Sequence, residues 1–276
     1  LPFVAPKAFF DLYDRASFAL ADFKNTPEGG DSSYLFHKNQ ELRKYKPTPI
    51  KEAGKKPYPK GAIKSYPKGE LSSVHQRELI HGYFASVSFI DSLVGELLSE
   101  LEKVGQAENT IIVFWGDHGF HLGDHGLWGK HTTMEQANHV PLIIKIPGGK
   151  TKRFSSPVEL LDVFPSLAEA AELTIPDHLQ GRSLVPLITG KQTSIDKVAI
   201  SQYKRKGAYG YSMRTEQYRY TQWVTRSGKV VYRDLYDLIS DPLETKNIIN
   251  TAEGKLLDVQ LNKQLHANSA GLKRLK

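Results

Sequence analysis

The stretch from Phe114 to Thr133 carries residue types suited to metal binding and acid–base chemistry. It reads FWGDHGFHLGDHGLWGKHTT and follows an apolar, β-branched run that begins at Thr110. A buried strand that stops at a carboxylate and an imidazole between glycines is a common way for α/β enzymes to place a metal or an acid–base pair at the carboxyl edge of a sheet. The stretch therefore predicts a catalytic site at the end of a strand.

Asp117 and His118 are the candidate metal ligands. A continuing strand would point these neighbours to opposite faces, whereas Gly116 and Gly119 allow a sharp turn that brings both side chains toward one ion. A carboxylate oxygen and an imidazole nitrogen suit a divalent cation, and further oxygen ligands would suit Ca²⁺ or Mg²⁺. No paired-Asp motif at another strand end offers those further ligands. The alternative is that Asp117 caps a turn and His118 is a hydrogen-bonded loop residue.

Lys130 is the candidate residue for binding an anionic oxyacid, because a lysine in a tight Gly-Lys-His turn can return over the site as a point charge. The alternative is a solvated loop lysine. His125, in the second Asp-His-Gly tripeptide, is a candidate substrate contact. The competing interpretation of His125, and of His121 before it, is a structural role.

The elements around the motif predict an α/β fold. A long amphipathic helix is expected to begin at a cap on Ser72 or Ser73 and to end at Gly105. Strands are expected over 110–115 and 140–146. This alternation predicts a mostly parallel sheet sandwiched by helices.

The C-terminal part of the chain changes character. A helix over 158–173, kinked or split by Pro165, is followed by short alternating runs from Val198 onward. These runs and a final helix over 252–267 predict a smaller antiparallel sheet and helix. The predicted domains are 1–190, the α/β domain, and 191–276, a small α+β subdomain.

Composition narrows the possible partners. The 276 residues carry a net charge of +7 and no cysteine, which excludes disulfides and thiolate metal sites. Ten Lys/Arg against two Glu lie between Lys38 and Lys68, in a Pro- and Gly-rich region over 1–70 that is expected to be irregular apart from a short helix at 7–13. The basic run is either a solvated loop or a collar that attracts a polyanion. No nucleic-acid motif and no membrane-spanning run is found, so neither partner is predicted.

The motif residues closely resemble the C-terminal half of the type I sulfatases of the alkaline-phosphatase superfamily, nearest to the iduronate-2-sulfatase group. In that group a strand ends in Ser/Gly-Asp-His-Gly and continues through Leu-Gly-Glu/Asp-His-Gly-x-Trp-x-Lys. Here the pattern runs from Gly116 through Trp128 to Lys130. Weaker matches extend over nearly the whole chain, and they include 83–91, 139–143, 160–167, 210–220 and 235–242.

The resemblance implies an alkaline-phosphatase or sulfatase-like fold that is incomplete in this chain. It implies that Asp117 and His118 are two ligands of a catalytic calcium and that Lys130 binds the sulfate and its leaving oxygen. It also implies a formylglycine nucleophile, made from the Cys or Ser of Cys/Ser-x-Pro-x-Arg, and an Asp-Asp pair that completes the metal site. Both of these lie upstream in the family, and neither motif is found here. The chain opens without a methionine, and we expect it to be a processed, cleaved or truncated piece.

The resemblance therefore implies the C-terminal part of an enzyme that hydrolyses sulfate esters, with a sulfated uronate or glycosaminoglycan as substrate and the missing N-terminal half as partner. Such a chain alone is expected to be inactive. Two alternatives stay open: a phosphatase or phosphodiesterase of the same superfamily, and a non-catalytic polyanion-binding fragment. An isolated half would also leave an apolar face exposed and be poorly stable.

Overall fold

The computed structural model describes residues 3–35, 71–149, 151–195, 198–269 and 272. The chain divides into two compact units, each assembled from segments that are separated in sequence. The first unit contains 1–26, 35–107 and 118–139, and the second contains 27–34, 108–117 and 140–276. The domain boundary predicted at 190 and 191 stays a prediction. The basic run over 38–68 lies outside the described residues.

The first unit is organised by one long helix, α3 (Ser73–Lys103). Ser72 caps it, as predicted, since its side chain accepts a hydrogen bond from the backbone N–H of His75. Only the N-terminal half of α3 is well buried; there Leu79 and Ile80 pack with Leu71 and Trp128. Farther along, the predicted apolar stripe is largely exposed, and Leu97 keeps 70% of its surface in solvent.

Short elements complete the first unit around this helix. They are α1 (Lys7–Phe10), β2 (His121–Leu122), β3 (Trp128–Gly129) and α4 (Glu135–Asn138). The helix predicted over 7–13 thus forms only its first turn. Phe3 packs edge-on against Tyr83 of α3 and Phe120 beside β2, with both centroid separations at 5.5 Å.

In the second unit, the motif strand β1 (Ile112–Trp115) pairs with β4 (Leu142–Lys145). The two run antiparallel, with Ile112 opposite Lys145 and Trp115 opposite Leu142. The parallel pairing predicted for this sheet is therefore not found between these strands. Parallel neighbours are usually joined by a crossover helix, and the connection between β1 and β4 contains only the four-residue helix α4.

The helix predicted over 158–173 is shorter than expected. A 3-10 turn over Leu160–Asp162 leads into α5 (Val163–Ala170). Pro165 lies in the first turn of α5, where the missing N–H costs no intrahelical bond. The proline therefore sits at the start of a helix and does not divide one. A further short helix, α6 (Val185–Ile188), follows.

The C-terminal sheet confirms the four predicted strands. They form an antiparallel meander in the order β5 (Ala199–Arg205), β6 (Ala208–Arg214), β7 (Tyr218–Thr225) and β8 (Val230–Asp237). The predicted final helix, α7 (Ala252–Asn268), packs through Leu261 and Leu265 on one face of this sheet. The sheet residues Met213, Tyr220 and Leu235 are fully buried in that contact. This is the main apolar core of the second unit.

An early segment, which includes the start of α2 (Ser32–Leu35), is fixed to this sheet. The backbone of Glu28 donates to the Thr245 carbonyl at 2.8 Å and accepts from the N–H of Asn247 at 2.8 Å. Tyr34 stacks on Tyr232 with ring centroids 5.4 Å apart. Residues 27–34 thus pack against residues that lie about 200 positions later in the sequence. Within the described ranges, no helix is long and apolar enough to cross a membrane.

Candidate functional site

Asp117 stands directly beyond the end of β1, as the sequence predicted, and its side chain is exposed. The strand is held to that point by the backbone of Gly116, whose N–H donates to the Pro141 carbonyl at 3.1 Å. A side chain at Gly116 would lie 3.2 Å from Val140, so the glycine permits a close approach of the two segments. The boundary between the two compact units falls between Asp117 and His118.

His118 opens the returning segment of the first unit and is also exposed. Its Nδ1 lies 2.9 Å from the carbonyl oxygen of Gly119. Gly119 itself packs tightly on α4, because its N–H donates to the Ala137 carbonyl at 2.8 Å. A Cβ at this position would lie only 2.0 Å from the Gln136 carbonyl oxygen. Glycine is therefore required here for contact with α4.

The assignment of Asp117 and His118 as metal ligands stays a prediction. Asp117 supplies a carboxylate and His118 an imidazole, and their exposed side chains are accessible to an ion. Ca²⁺ takes six to eight oxygen ligands. No group of three or more His, Asp or Glu side chains that could hold a metal is found among the residues that the structure describes. These two residues therefore fit part of a calcium site and need donors from elsewhere to complete one.

Lys130 is positioned by a small hairpin. It directly follows β3, in which Gly129 pairs with His121 and Trp128 with Leu122. On its other side, the Thr132 N–H donates to the Lys130 carbonyl at 2.9 Å. Backbone contacts therefore fix the chain immediately before and after Lys130, which is half-buried.

Thr132 is also tied to the hairpin through its side chain. Its Oγ1 lies 2.8 Å from Nε2 of the fully buried His121 and accepts a hydrogen bond from the Met134 N–H at 3.3 Å. His121 and Thr132 thus position the turn that carries Lys130. Thr132 was not among the residues predicted from the sequence, and its only sequence signal is its place two residues after the lysine.

His125, predicted to contact substrate, is 1% exposed. It has a left-handed backbone with φ of 55° between Gly123 and Gly126, which also have positive φ. Its ring packs edge-on against Phe23 at 5.4 Å and lies 6.0 Å from the His121 ring, and its N–H donates to the Phe23 carbonyl. This burial favours the structural alternative, that His125 holds the tip of the hairpin, and its contact with substrate stays a prediction.

The chain matches two family models. The sulfatase model matches residues 39–173, and the model of the C-terminal region of N-sulphoglucosamine sulphohydrolase matches residues 123–271. The second match alone covers more than half of the chain and includes the segment from Gly123 through Lys130. The chain belongs to the sulfatase family, and its relatives place its similarity near the iduronate 2-sulfatases.

Similar proteins support this assignment. Iduronate 2-sulfatase from Homo sapiens is 28% identical over an alignment of 326 positions, which covers 92% of this chain and 57% of that protein. A solved 2-O GAG sulfatase has a TM-score of 0.65 at 25% identity, over 75% of this chain and 47% of that one. The chain thus spans about half the length of the relatives it matches.

A solved phosphonate monoester hydrolase from Silicibacter pomeroyi shares the fold. Its TM-score is 0.72 at 22% identity, and the match covers 98% of this chain and 55% of that chain. Together with the sulfatase structures, it shows an alkaline-phosphatase-like fold of mixed helices and sheets.

Proposed function

We propose that this chain is the C-terminal part of a sulfatase that hydrolyses sulfate esters of sulfated uronate or glycosaminoglycan sugars. The observation that carries the proposal is the match to the sulfatase family through the segment that ends in Lys130. The sugar class is supported by the printed names of relatives, an iduronate 2-sulfatase and a 2-O GAG sulfatase. Since the chain spans about half of those proteins, a preceding N-terminal half supplies the rest of the enzyme.

Asp117 and His118 would hold a catalytic Ca²⁺ together with donors from that N-terminal half. Their exposure and their carboxylate and imidazole donors support this assignment. A bound calcium supplies Lewis-acid stabilisation of negative charge on sulfuryl oxygens. A formylglycine in the N-terminal half would supply the nucleophile, so the chain alone would be inactive. The parallel strands expected beside β1 would come from the same half.

Lys130 would bind the sulfate group as a point charge. Its ammonium can neutralise charge on the sulfuryl oxygens and on the leaving oxygen as the sulfur–oxygen bond breaks. The support is positional, because the β2–β3 hairpin and Thr132 fix the backbone on both sides of this lysine. A fixed cation stabilises the transition state without having to reorganise during the reaction.

The test is sulfate release from a 2-O-sulfated uronate disaccharide by the full-length protein that carries this chain. We expect Lys130→Ala to lower kcat by about 10²–10³-fold, as for the loss of one preorganised charge-stabilising group. Lys103→Ala, an exposed lysine at the end of α3, is the matched control and should leave kcat unchanged. Peptide mass spectrometry of the same protein would locate the formylglycine.

Other results would favour the competing functions. Turnover of a phosphonate or phosphate monoester in preference to the sulfate ester would support the phosphatase or phosphodiesterase alternative, whose fold the Silicibacter hydrolase shares. Equal activity of Lys130→Ala and the parent protein would remove the lysine from the mechanism. Absence of any turnover, with retained binding of sulfated sugar, would favour the non-catalytic fragment.

A further inference from the structure

Two hairpin turns of the C-terminal sheet lie side by side at one end. The first joins β5 to β6 through Lys206 and Gly207, and the second joins β7 to β8 through 226–229. The register places Arg205 opposite Ala208 and Ala208 opposite Thr225, so both turns lie at the same end of the four-stranded sheet. With neighbouring strands ~4.8 Å apart, the two tips are roughly 10 Å from each other.

These two turns carry positive charge only. Residues 204–208 and 225–229 contain five Lys/Arg and no Asp or Glu. Four of the five are exposed, namely Lys204, Lys206, Arg226 and Lys229. We call these four residues the hairpin surface. Like charges on adjacent exposed turns repel one another and contribute nothing to packing, so their concentration here is not explained by the fold.

Two of the three lysines of the hairpin surface lie against aromatic rings. Lys204 Nζ lies 5.4 Å from the centroid of Tyr209, its cross-strand partner. Lys206 Nζ lies 5.7 Å from the centroid of Tyr34, whose ring is stacked on Tyr232. Such cation–π contacts restrain the ammonium groups. Less conformational entropy is then lost when an anion binds to them.

The fifth cation has a structural role. Arg205 is buried, and its Nε donates to the Ser33 carbonyl at 2.5 Å. This bond fastens the early segment to the first hairpin and holds Tyr34 near Lys206. Asp31, an acidic residue whose charge acts on Arg205, belongs to the same segment and lies outside both turns.

We propose that the hairpin surface is a second binding site, which holds a sulfated polysaccharide chain through its sulfate groups. Point-charge ammonium groups suit sulfate oxygens, whereas single-stranded nucleic acid is held mainly by open aromatic faces. Here lysine ammonium groups lie over the rings of Tyr34 and Tyr209, so these rings do not offer open faces on which bases could stack. The polysaccharide class rests on the proposed function, but the site would hold the polymer and not the ester that is cleaved.

The test compares two triple variants of the full-length protein in binding to heparin at increasing salt. The first is Lys206→Asn, Arg226→Ser and Lys229→Ser; Asn at 206 keeps a residue that tolerates the positive φ before Gly207. The control is Lys103→Ser, Lys191→Ser and Lys255→Ser, three exposed lysines elsewhere with the same change in charge. Thermal unfolding of both variants checks that the fold is kept.

We expect about ten-fold weaker heparin binding and a smaller salt dependence for the hairpin variant, because three exposed ion-pair contacts of modest strength are lost. The control should bind like the parent protein. An equal loss in the control, or equal binding of desulfated heparin, would overturn the proposal. Tighter binding of single-stranded DNA or phosphatidylserine vesicles through the same residues would assign the surface to another class of partner and also overturn it.

The result of the heparin-binding test can be separated from the result of the test of the proposed function. Hydrolysis of the small disaccharide substrate should be the same for the hairpin variant and the parent protein. Lys130→Ala should lose turnover but keep heparin binding. Turnover without hairpin-dependent binding would reject the hairpin surface alone, and hairpin-dependent binding without turnover would reject the sulfatase function alone.

Discussion

Asp234 is a carboxylic acid in the interior of the C-terminal sheet. It lies on β8 opposite Thr221 of β7 and is 1% exposed. Burial raises the pKa of Asp234 from its usual 3.8 to about 7, and the charge of Arg219 and hydrogen bonding by Thr221 and Trp223 act in the opposite direction. Arg219 itself forms a buried ion pair with Glu244. The protonation state of Asp234 in the folded protein therefore changes near neutral pH.

This carboxyl predicts that the full-length protein is more stable in mild acid than at neutral pH. Because the folded-state pKa of about 7 lies above the unfolded value of 3.8, the folded state keeps a proton that the unfolded state releases between these values. The free energy of unfolding should fall as pH rises through this window, by up to about 1.4 kcal/mol per pH unit, and level off above it. Denaturant unfolding between pH 4 and 8 measures the slope.

The matched variants for this prediction are Asp234→Asn and Asp177→Asn. The first removes the buried acid and should flatten the profile between pH 4 and 7. The second changes an exposed carboxyl and should leave the slope in place. A slope that persists in Asp234→Asn would assign the pH dependence to another group.

At the scale of single residues, the chemistry of a side chain could be predicted from the sequence more readily than its burial. Asp117 was found at the end of its strand, because a break after an apolar run marks that point directly. His125 gave no such signal: its left-handed backbone and its packing on Phe23 depend on a segment about 100 residues earlier. The role of Thr132 likewise depends on a side-chain contact with His121, which the spacing of residue types does not reveal.

Among the elements, the contact between the motif loop and α4 is sensitive to substitution. We expect Gly119→Ala to cost about 2–3 kcal/mol in the free energy of unfolding, because its Cβ would meet the Gln136 carbonyl oxygen at 2.0 Å and force the loop away from α4. Gly95→Ala in α3 is the control. Among the described residues, no atom beyond its chain neighbours and the adjacent helix backbone lies within 4 Å of its added Cβ, so it should stabilise the helix by about 1 kcal/mol.

Thermal or denaturant unfolding of the full-length protein with each substitution compares their free energies of unfolding. Equal stabilities for Gly119→Ala and Gly95→Ala would mean that the loop moves freely relative to α4. Sulfate release, if measured alongside, should also fall in Gly119→Ala, since Gly119 follows His118 directly.

Elements that depend on local pattern were predicted well. The four strands of the C-terminal sheet were found because each is a short alternating run next to its partner in sequence. The cap at Ser72 was found from its own neighbours. The orientation of β1 and β4 was not, because a parallel sheet was inferred from the alternation of helices and strands, and that alternation does not determine which strands become neighbours.

At the scale of the whole molecule, apolar surface is left uncovered. The C-terminal half of α3 exposes Ile90, Leu93 and Leu97, and β1 exposes Phe114 and Trp115. In the described part of the chain, the β1–β4 sheet has only two strands, and two-stranded sheets are marginally stable by themselves. Relatives about twice as long have additional chain that can cover such surfaces.

We therefore expect the isolated chain to associate or aggregate and to unfold without a sharp transition, and co-expression with its N-terminal half to give a cooperative transition at higher temperature. Leu97→Ser should weaken co-purification of the two halves, because it alters the exposed stripe on α3. Leu256→Ser, an equally exposed leucine on α7, should not. A monomeric isolated chain with a single, high-temperature transition would contradict the prediction.

The attachment of residues 27–34 to the C-terminal sheet has a consequence for the timing of folding. Asp31 bonds to a tyrosine 201 positions later, and Gly29 accepts from an asparagine 218 positions later. At ~5–20 residues made per second, this segment waits roughly 10–40 s on the ribosome before its partners exist. The first part of the second unit to be synthesised is thus among the last to be fixed in place, and the unit completes its folding only after the C-terminal sheet has been made.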